Sequence, residues 1–319
     1  MERSVIVALA GGVGGAKMAQ GLAGVVPPDQ LTVIVNTADD FDLHGLRICP
    51  DLDTVVYTLA GIANPITGWG IAGDTTVALD AMTRLGEEPW FTIGDRDLAT
   101  HVIRTSRLRL GSRLSDVTRD IASRLGIAAN VLPVTDDMIG TYIETPHGTF
   151  EFQDYFVRRR QQDDVLGVQI GGVDTATPAQ GVIEAIAAAE IIVLCPSNPI
   201  VSIGPILAVP GVREAIERSP AVKVAVSPII GGKALKGPAD RMLATLGHES
   251  SALGIARIYA GLIDGLVIDE TDAALAAPIE ALGLKVRPLQ SIMGDAGDRA
   301  RFAGEVLSFA RDLPRRVRQ

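Results

Sequence analysis

The chain has 319 residues, of which 47% are hydrophobic and 21% charged, so it can bury a sizeable core and is not a disordered chain. Its formal net charge of −9 argues against nonspecific nucleic-acid binding, which needs a basic surface. Cys49 and Cys195 form neither a disulfide framework nor a metal-binding spacing, and no apolar run reaches the ~20 residues of a membrane span. We therefore expect a cytoplasmic protein that binds neither membranes nor nucleic acid.

The predicted elements alternate between strand and helix, which is typical of a Rossmann-like, doubly wound α/β fold with a mostly parallel sheet. The first three are a strand over Ser4–Ala10, a helix over Lys17–Val26 and a strand over Leu31–Asn36. The later elements are helices over 52–62, 74–86, 97–110 and 114–126, a β-hairpin of 139–144 and 149–157, a helix over 180–190, strands over 191–194 and 222–226, and helices over 239–246, 253–262 and 299–311. We predict a single domain, 1–319, in which about 68–160 form an inserted, helix-rich cap or acceptor-binding subregion.

A glycine-rich loop follows the first predicted strand, with glycines at 11, 12, 14 and 15 and a lysine at 17. Glycines let backbone N–H groups approach an anion, and a helix N-terminus favours negative charge, so the loop predicts a phosphate-bearing ligand. Neither common fingerprint fits, because the third glycine of G-x-G-x-x-G would fall at Lys17 and because Ala16 and Met18 flank the lysine. The alternative is a tight strand-to-helix turn whose glycines are needed for packing.

An acidic region follows the second predicted strand. Its five carboxylates belong to Asp39, Asp40, Asp42, Asp51 and Asp53. Grouped carboxylates repel one another unless a cation lies among them, and oxygen ligands near phosphates suit Mg²⁺. Asp51 is the expected N-cap of the next helix, and for Asp51 or Asp53 taken alone helix capping is an alternative to metal binding.

Small polar residues also follow two later strands, in Pro196-Ser197-Asn198-Pro199, Ser202-Ile203-Gly204-Pro205 and Ser227-Pro228-Ile229-Ile230-Gly231. Because ligands bind at the carboxyl ends of strands in such folds, these loops and the glycine loop predict a nucleoside diphosphate site with a metal. Sites of this kind transfer phosphoryl groups mainly through positioning and charge neutralisation. His101 could act as a general base there, although an ordinary hydrogen-bonded helix histidine is the simpler interpretation.

These motifs, together with Val35-Asn36-Thr37-Ala38-Asp39-Asp40, Pro50-Asp51-Leu52-Asp53-Thr54, Gly94-Asp95-Arg96-Asp97 and Phe152-Gln153-Asp154-Tyr155, resemble the 2-phospho-L-lactate transferase (phosphoenolpyruvate transferase) family of coenzyme F-420 biosynthesis. The resemblance implies transfer of a phosphoenolpyruvyl or 2-phospholactyl group from a guanosine diphosphate adduct. The acceptor would be the ribityl hydroxyl of the deazaflavin FO (7,8-didemethyl-8-hydroxy-5-deazariboflavin), and GMP would be released.

The resemblance also implies roles for particular residues. Asp40, Asp51 and Asp53 would be catalytic and would hold Mg²⁺, and Asp53 and Thr92 would bind the acceptor. The donor nucleotide would contact Gly12, Gly14, Gly15, Lys17, Ser197, Asn198, Ser202 and Gly204. The small-molecule substrates would be its partners, and the chain would form a homodimer.

Two other functions fit parts of the sequence. A nucleotide-sugar-binding regulatory protein without catalysis would share the glycine loop and the acidic loop, but the D-L-D, G-D-R-D and F-Q-D-Y elements favour a transferase. A dinucleotide-dependent oxidoreductase is disfavoured by the missing third glycine and by a cluster of acids in place of one. The alanine- and arginine-rich, lysine-poor composition favours the phosphoenolpyruvyl donor, because it is typical of GC-rich bacteria.

Overall fold

The computed structural model describes residues 5–314. Ser4, which the sequence placed in the first strand, lies outside the described residues. Within them the chain forms fourteen strands: β1 (Ile6–Ala10), β2 (Leu31–Val35), β3 (Phe41–Leu43), β4 (Leu46–Ile48), β5 (Asn130–Pro133), β6 (Gly140–Thr145), β7 (Gly148–Glu151), β8 (Gly167–Gly171), β9 (Ile191–Leu194), β10 (Val222–Val226), β11 (Ile229–Ile230), β12 (Lys233–Ala234), β13 (Gly265–Asp269) and β14 (Lys285–Leu289).

Seven of these strands form a central sheet in the order β14-β13-β10-β9-β1-β2-β5. Every neighbouring pair in it is parallel. The strand order reverses between β1 and β9, which is the topological switch point of a Rossmann-like fold and the usual place of its ligand. The predicted fold class is therefore confirmed, and the central sheet is entirely parallel.

The same residues form twelve α-helices: α1 (Gly12–Val25), α2 (Pro50–Leu59), α3 (Val77–Arg84), α4 (Asp95–Arg109), α5 (Leu114–Arg124), α6 (Val182–Ala188), α7 (Gly204–Ala208), α8 (Val212–Arg218), α9 (Ala239–Thr245), α10 (Ala252–Ile258), α11 (Ala276–Glu280) and α12 (Ala296–Asp312). Helices α1, α2 and α12 cover one face of the sheet, and α6 to α11 cover the other.

The two hydrophobic cores explain why the central strands are apolar throughout. In β1, Ile6, Ala8 and Ala10 belong to the core under α1 and α12, whereas Val7 and Leu9 belong to the opposite core. Successive side chains of a strand point to opposite faces, so a strand covered on both faces buries every residue. All five residues of β1 are fully buried.

The middle of the chain departs from the predicted elements. The helices α3 to α5 and the β6–β7 hairpin occur where they were predicted, but Asn130–Pro133 pairs with β2 in the central sheet, inside the range predicted as an inserted cap. The hairpin gains a third strand, β8, and its second strand ends at Glu151, because 154–158 form one turn of π-helix. The edge strand β14 was missed, since its sequence contains Lys285, Arg287 and a proline.

In residues 5–314 no single helix is long and apolar enough to cross a membrane. One pair of helical segments, Pro199–Ala208 and Val212–Arg218, meets the length and composition limits together, with a bend of 85° between them.

Candidate functional site

A cleft of about 720 Å³ lies across the switch point, a volume typical of sites for small ligands. The residues that follow β1, β2, β9 and β10 line it, and so do residues 291–293 after β14. Side chains from α2, α4 and the turn 154–158 complete its walls. The strand-end loops that the sequence predicted to bind a ligand therefore line one common cleft.

The glycine loop is the first turn of α1, which begins at Gly12, five residues before the predicted start at Lys17. Gly12 has a φ of +60°, a left-handed conformation that favours glycine. Its N–H donates to Asp51 Oδ1 at 2.8 Å, and the Gly11 N–H donates to Ser197 Oγ at 3.1 Å. Asp51 therefore does not cap its own helix, whose N-cap is Cys49, but binds the first N–H of α1.

Gly14 and Gly15 are required by close packing. A Cβ at Gly14 would lie 2.3 Å from the Pro196 carbonyl oxygen, and a Cβ at Gly15 would lie 2.5 Å from Ser197 Oγ. The steric interpretation of the loop therefore holds for these two residues, and Gly15 does not line the cleft. In residues 5–314 the N–H groups of Val13 and Gly14 have no hydrogen-bond acceptor, so two free amides remain at the cleft for an anion.

Two lysines that line the cleft, Lys17 and Lys236, lie near this helix N-terminus. Lys17 Nζ donates to the Met293 carbonyl oxygen at 2.8 Å. Burial lowers the pKa of Lys17, and the positive charges of Arg299 and Lys236 lower it further. Within the described part of the chain, neither lysine has a carboxylate within 4.0 Å. An anionic ligand would supply the missing negative charge.

The loop after β9 is fixed to the glycine loop by hydrogen bonds, and several of its residues line the cleft. Ser197 Oγ donates to the Gly11 carbonyl oxygen at 2.8 Å and so fixes the two strand-end loops to each other. Asn198 Oδ1 accepts from the Ile200 N–H at 2.9 Å, capping the turn 199–203. Ser197, Asn198 and Ser202 all line the cleft, whereas Gly204 begins α7 and does not.

The adjacent aspartates of the acidic loop face different surroundings. Asp39 lines the cleft; burial raises its pKa well above the usual range, and the negative charge of Asp51 adds to the effect. Asp40 does not line the cleft, and burial raises its pKa to about 8 despite a hydrogen bond from Cys49. Asp42 is exposed and pairs with Arg47 at 3.0 Å. Asp39 is thus the cleft carboxylate that the predicted site omitted.

Asp53 and Asp51 both line the cleft but have different partners. Both carboxylate oxygens of Asp53 accept from the buried guanidinium of Arg104, one of them at 3.0 Å from Nη1. Asp51 Oδ2 accepts from Asn36 Nδ2 at 3.0 Å, and burial raises the pKa of Asp51 to about 6. A charge-assisted bidentate pair fixes the orientation of the Asp53 carboxylate toward the cleft.

Two groups of residues could hold a metal ion, and only one suits Mg²⁺. In the described chain, ligand atoms of Asp53, Asp97 and His101 lie within 4.8 Å of one another. Arg104 already binds Asp53 and donates to His101 Nδ1 at 3.2 Å, and Tyr57 donates to Asp97 at 2.7 Å. These partners leave little free ligand capacity.

The second group is Asp39 with Asp51, beside the free amides of α1. Asp39 Oδ1 is buried and has no hydrogen-bond partner among residues 5–314, and the repulsion between the two carboxylates would be relieved by a cation. Asp39 and Asp51 therefore fit Mg²⁺ better than the predicted set of Asp40, Asp51 and Asp53. Asp40 lies off the cleft, and Arg104 neutralises Asp53.

Aromatic side chains form much of the remaining lining. They belong to Tyr57, Trp69, Phe91, Phe152 and Phe156. The rings of Phe152 and Phe156 stack with centroids 5.4 Å apart, and Phe91 packs edge-on against Phe41 at 5.0 Å. Thr92, next to Phe91, also lines the cleft and is exposed. Such walls suit a flat, conjugated ligand.

The G-D-R-D element mainly stabilises the starts of the helices α3 and α4. Asp74 accepts from the N–H groups of Arg96 and Asp97 at the start of α4, while Asp95 accepts from Val77 and Ala78 at the start of α3. The N-cap of α4 is Gly94, and Asp95 and Asp97 lie in its first turn. His101 is buried, and its Nδ1 has a hydrogen-bond partner in Arg104 at 3.2 Å, as expected for an ordinary helix histidine. Its Nε2 lies 3.3 Å from Asp97 Oδ1 and has no hydrogen-bond partner among residues 5–314.

Comparisons with known proteins agree with one another. A family model described as 2-phospho-L-lactate transferase CofD matches residues 6–282. A phosphoenolpyruvate transferase of Kitasatospora aureofaciens is 45% identical over 315 residues, covering 97% of this chain and 98% of its own length. A 2-phospho-L-lactate transferase of Methanosarcina acetivorans is 42% identical over 288 residues, covering 90% and 93%. The crystal structure of protein BH3568 from Bacillus halodurans shares the fold, with a TM-score of 0.63 at 17% identity over 95% of this chain and 99% of its own.

Proposed function

The chain belongs to the 2-phospho-L-lactate transferase CofD family, which makes it a transferase of the phospholactate and phosphoenolpyruvate type. We propose that it transfers a phosphoenolpyruvyl group from a guanosine diphosphate adduct to the ribityl hydroxyl of FO and releases GMP. In this reaction the hydroxyl oxygen forms a new bond to the phosphorus that bears the enolpyruvyl group. The bond from that phosphorus to the bridging oxygen of the diphosphate breaks, and GMP leaves with the oxygen.

The observation that carries this proposal is the pairing of an anion site with a carboxylate-lined, aromatic cleft. The free amides of Val13 and Gly14 and the ammonium of Lys17 would bind the diphosphate. Ser202, in the wall formed by the loop after β9, would contact the donor nucleotide. Backbone amides and fixed cations need no rearrangement as negative charge develops on the leaving phosphate, so they lower the barrier directly.

On the acceptor side, we assign to Asp53 the contact with the ribityl hydroxyls. Arg104 fixes the orientation of this carboxylate, and a carboxylate oxygen beside the attacking hydroxyl can accept its proton. The aromatic walls, Phe91 and Phe156 among them, would stack on the deazaflavin ring, and Thr92 would contact it at the exposed edge.

Mg²⁺, when bound, would neutralise charge on the diphosphate and stabilise the leaving phosphate. Asp39 and Asp51 would hold it, since both face the cleft beside the α1 N-terminus. The phosphoenolpyruvyl donor is preferred over the 2-phospholactyl donor because the composition favours it and the Kitasatospora relative has the phosphoenolpyruvate name. The homodimer and the cytoplasmic location remain predictions.

The test is an assay with FO, Mg²⁺ and either the enolpyruvyl or the phospholactyl guanosine diphosphate adduct. We expect GMP and the phosphodiester of FO with the transferred group in equal amounts, formed faster with the enolpyruvyl adduct, and loss of turnover in EDTA that added Mg²⁺ restores. Asp39→Asn should lower kcat on the order of 100-fold, because it removes a metal ligand. Asp42→Asn, three residues later in β3, exposed and absent from the cleft lining, is the matched control and should keep wild-type turnover.

The outcomes separate the candidate functions. Absence of GMP release above the no-enzyme rate would overturn the transferase proposal and favour the nucleotide-sugar-binding regulatory protein. Release with the phospholactyl adduct alone would reverse the donor assignment. Wild-type turnover in Asp39→Asn would remove that residue from the metal site.

A further inference from the structure

The loop of residues 64–70, here called the strap, lies beside the helix N-terminus that forms the anion site. Two backbone hydrogen bonds close it, from Asn64 N–H to the Gly70 oxygen at 3.0 Å and from Gly68 N–H to the Asn64 oxygen at 2.8 Å. A Cβ added at Gly68 would lie 2.6 Å from Val13 Cγ1. The strap therefore packs directly on the residue that offers one of the free amides.

One lysine that is distant in sequence, Lys236, binds the strap. Lys236 Nζ donates to the Thr67 carbonyl oxygen at 2.7 Å and lies 3.5 Å from the Ile66 oxygen. Lys236, Ile66, Thr67 and Trp69 all line the cleft. The ammonium group would also lie 3.2 Å from a Cβ at Gly68, which places it next to the strap residue that contacts Val13.

The side chain of Lys236 is positively charged, but the carbonyl oxygens that accept its hydrogen bonds are neutral. In residues 5–314 no carboxylate lies within 4.0 Å of its Nζ, and its positive charge is close enough to lower the pKa of Lys17. An ammonium that donates only to backbone carbonyls gains more from a phosphate oxygen, since the full negative charge of a phosphate attracts it more strongly than the partial charge of a carbonyl oxygen.

We propose that Lys236 binds the diphosphate of a nucleoside diphosphate ester, and that its movement from the Thr67 carbonyl to the diphosphate links donor binding to the position of the strap and of Trp69. This inference rests on the proposed function, which supplies the diphosphate ligand. Lys236 is then a donor-binding residue beyond those that the sequence assigned, and the strap is the element through which the acceptor end of the cleft responds to the donor.

Trp69 provides a direct readout, because the chain has only one other tryptophan, Trp90. In a Trp90→Phe background, Trp69 fluorescence is titrated with GDP plus Mg²⁺ and, separately, with inorganic pyrophosphate plus Mg²⁺. We expect the ligands to change the fluorescence of the background protein. Lys236→Gln should raise the Kd for both ligands roughly ten-fold or more and abolish the change, because a charge-assisted hydrogen bond is lost. Lys236→Arg, which keeps the charge, should restore part of both.

Lys233→Gln is the matched control, since Lys233 is exposed three residues before Lys236 and does not line the cleft. It should bind both ligands as the background protein does. An unchanged Kd in Lys236→Gln, with an altered Trp69 spectrum before ligand is added, would mean that the lysine only tethers the strap and would overturn the inference. Binding of pyrophosphate without GDP would refute the guanosine donor while still testing Lys236, and binding of neither would overturn both proposals.

Discussion

Asp53 lines the cleft and also neutralises the buried guanidinium of Arg104. A single substitution of Asp53 would remove both roles at once. We predict that Asp53→Asn lowers the free energy of unfolding by about 3 kcal/mol, since it leaves the Arg104 charge buried without its partner. Loss of turnover in that variant would therefore not by itself identify a contact with the acceptor. Urea denaturation and initial-rate measurements on the same preparation separate the two effects.

The double variant Asp53→Leu/Arg104→Met resolves the ambiguity. It replaces the buried pair with apolar side chains and should recover most of the stability, because no uncompensated charge remains. Turnover should stay lost, since the cleft lacks the carboxylate. Recovery of turnover together with stability would show that Asp53 acts only through Arg104.

The sequence predicted carboxylates after β2 but did not identify which of the two adjacent aspartates, Asp39 or Asp40, lines the cleft. The run Asp39-Asp40 predicted that carboxylates would follow β2, and the structure places both there, Asp39 buried and Asp40 half-buried. Which of the two faces the cleft depends on the path of the turn after the strand. That path is set by contacts such as Ala38 N–H to Asn36 Oδ1 and by the packing of Cys49 and Arg104, which are distant in sequence.

For whole elements, the start of α1 was misplaced for a related reason. Glycines disfavour helix interiors, so the sequence favoured a loop up to Lys17. The close approach of the loop after β9, however, admits only glycine at positions 14 and 15, and the helix tolerates them because Asp51 satisfies its first N–H. A tertiary contact between segments about 180 residues apart overrides the local preference.

Because of this contact, we predict that a glycine-to-alanine substitution inside α1 destabilises the protein. Gly→Ala inside a helix normally stabilises by up to about 1 kcal/mol. Gly14→Ala should instead lower the free energy of unfolding by about 2 kcal/mol, because the new Cβ would meet the backbone oxygen of Pro196. Gly304→Ala, inside α12 with nothing within 4 Å of its Cβ, is the control that should stabilise. Urea denaturation of both variants checks the difference, and stabilisation by both would contradict the close contact.

Across the whole molecule, alternating buried strands and amphipathic helices were enough to predict the Rossmann-like architecture. The apolar strands β1, β2, β9 and β10, covered on both faces, were recognised with ends at most one residue from those observed, apart from the start of β1, which was predicted at Ser4 and is observed at Ile6. The strands β5 and β14 form the two edges of the sheet, where the hydrophobic signal is weakest, and β13 was missed as well. The cleft was predictable from the loops that follow the buried strands, whereas its aromatic walls come from segments without that signal.

The strands β13 and β14 also make the stability of the fold depend on pH. Asp269 ends β13, and its carboxylate accepts from Ser291 Oγ at 2.6 Å and from the Thr271 N–H at 2.9 Å, fixing the segment after β14 to β13. Burial raises the pKa of Asp269, but these hydrogen bonds outweigh it and lower the pKa to about 2, below the usual 3.8. The folded state therefore binds the proton more weakly than the unfolded state. The carboxylate contributes stability above pH 4, and this contribution disappears as the pH falls toward 2.

We predict that Asp269→Asn is less stable than the wild-type protein by about 2 kcal/mol at pH 6, and that the difference shrinks between pH 4 and pH 2. Urea unfolding at a series of pH values measures it. Asp174→Asn is the control, because Asp174 is exposed and makes no side-chain hydrogen bond or ion pair within residues 5–314. A difference for Asp269→Asn that stays constant down to pH 2 would mean that shape, and not the charge of the carboxylate, holds the end of β13 to the segment after β14.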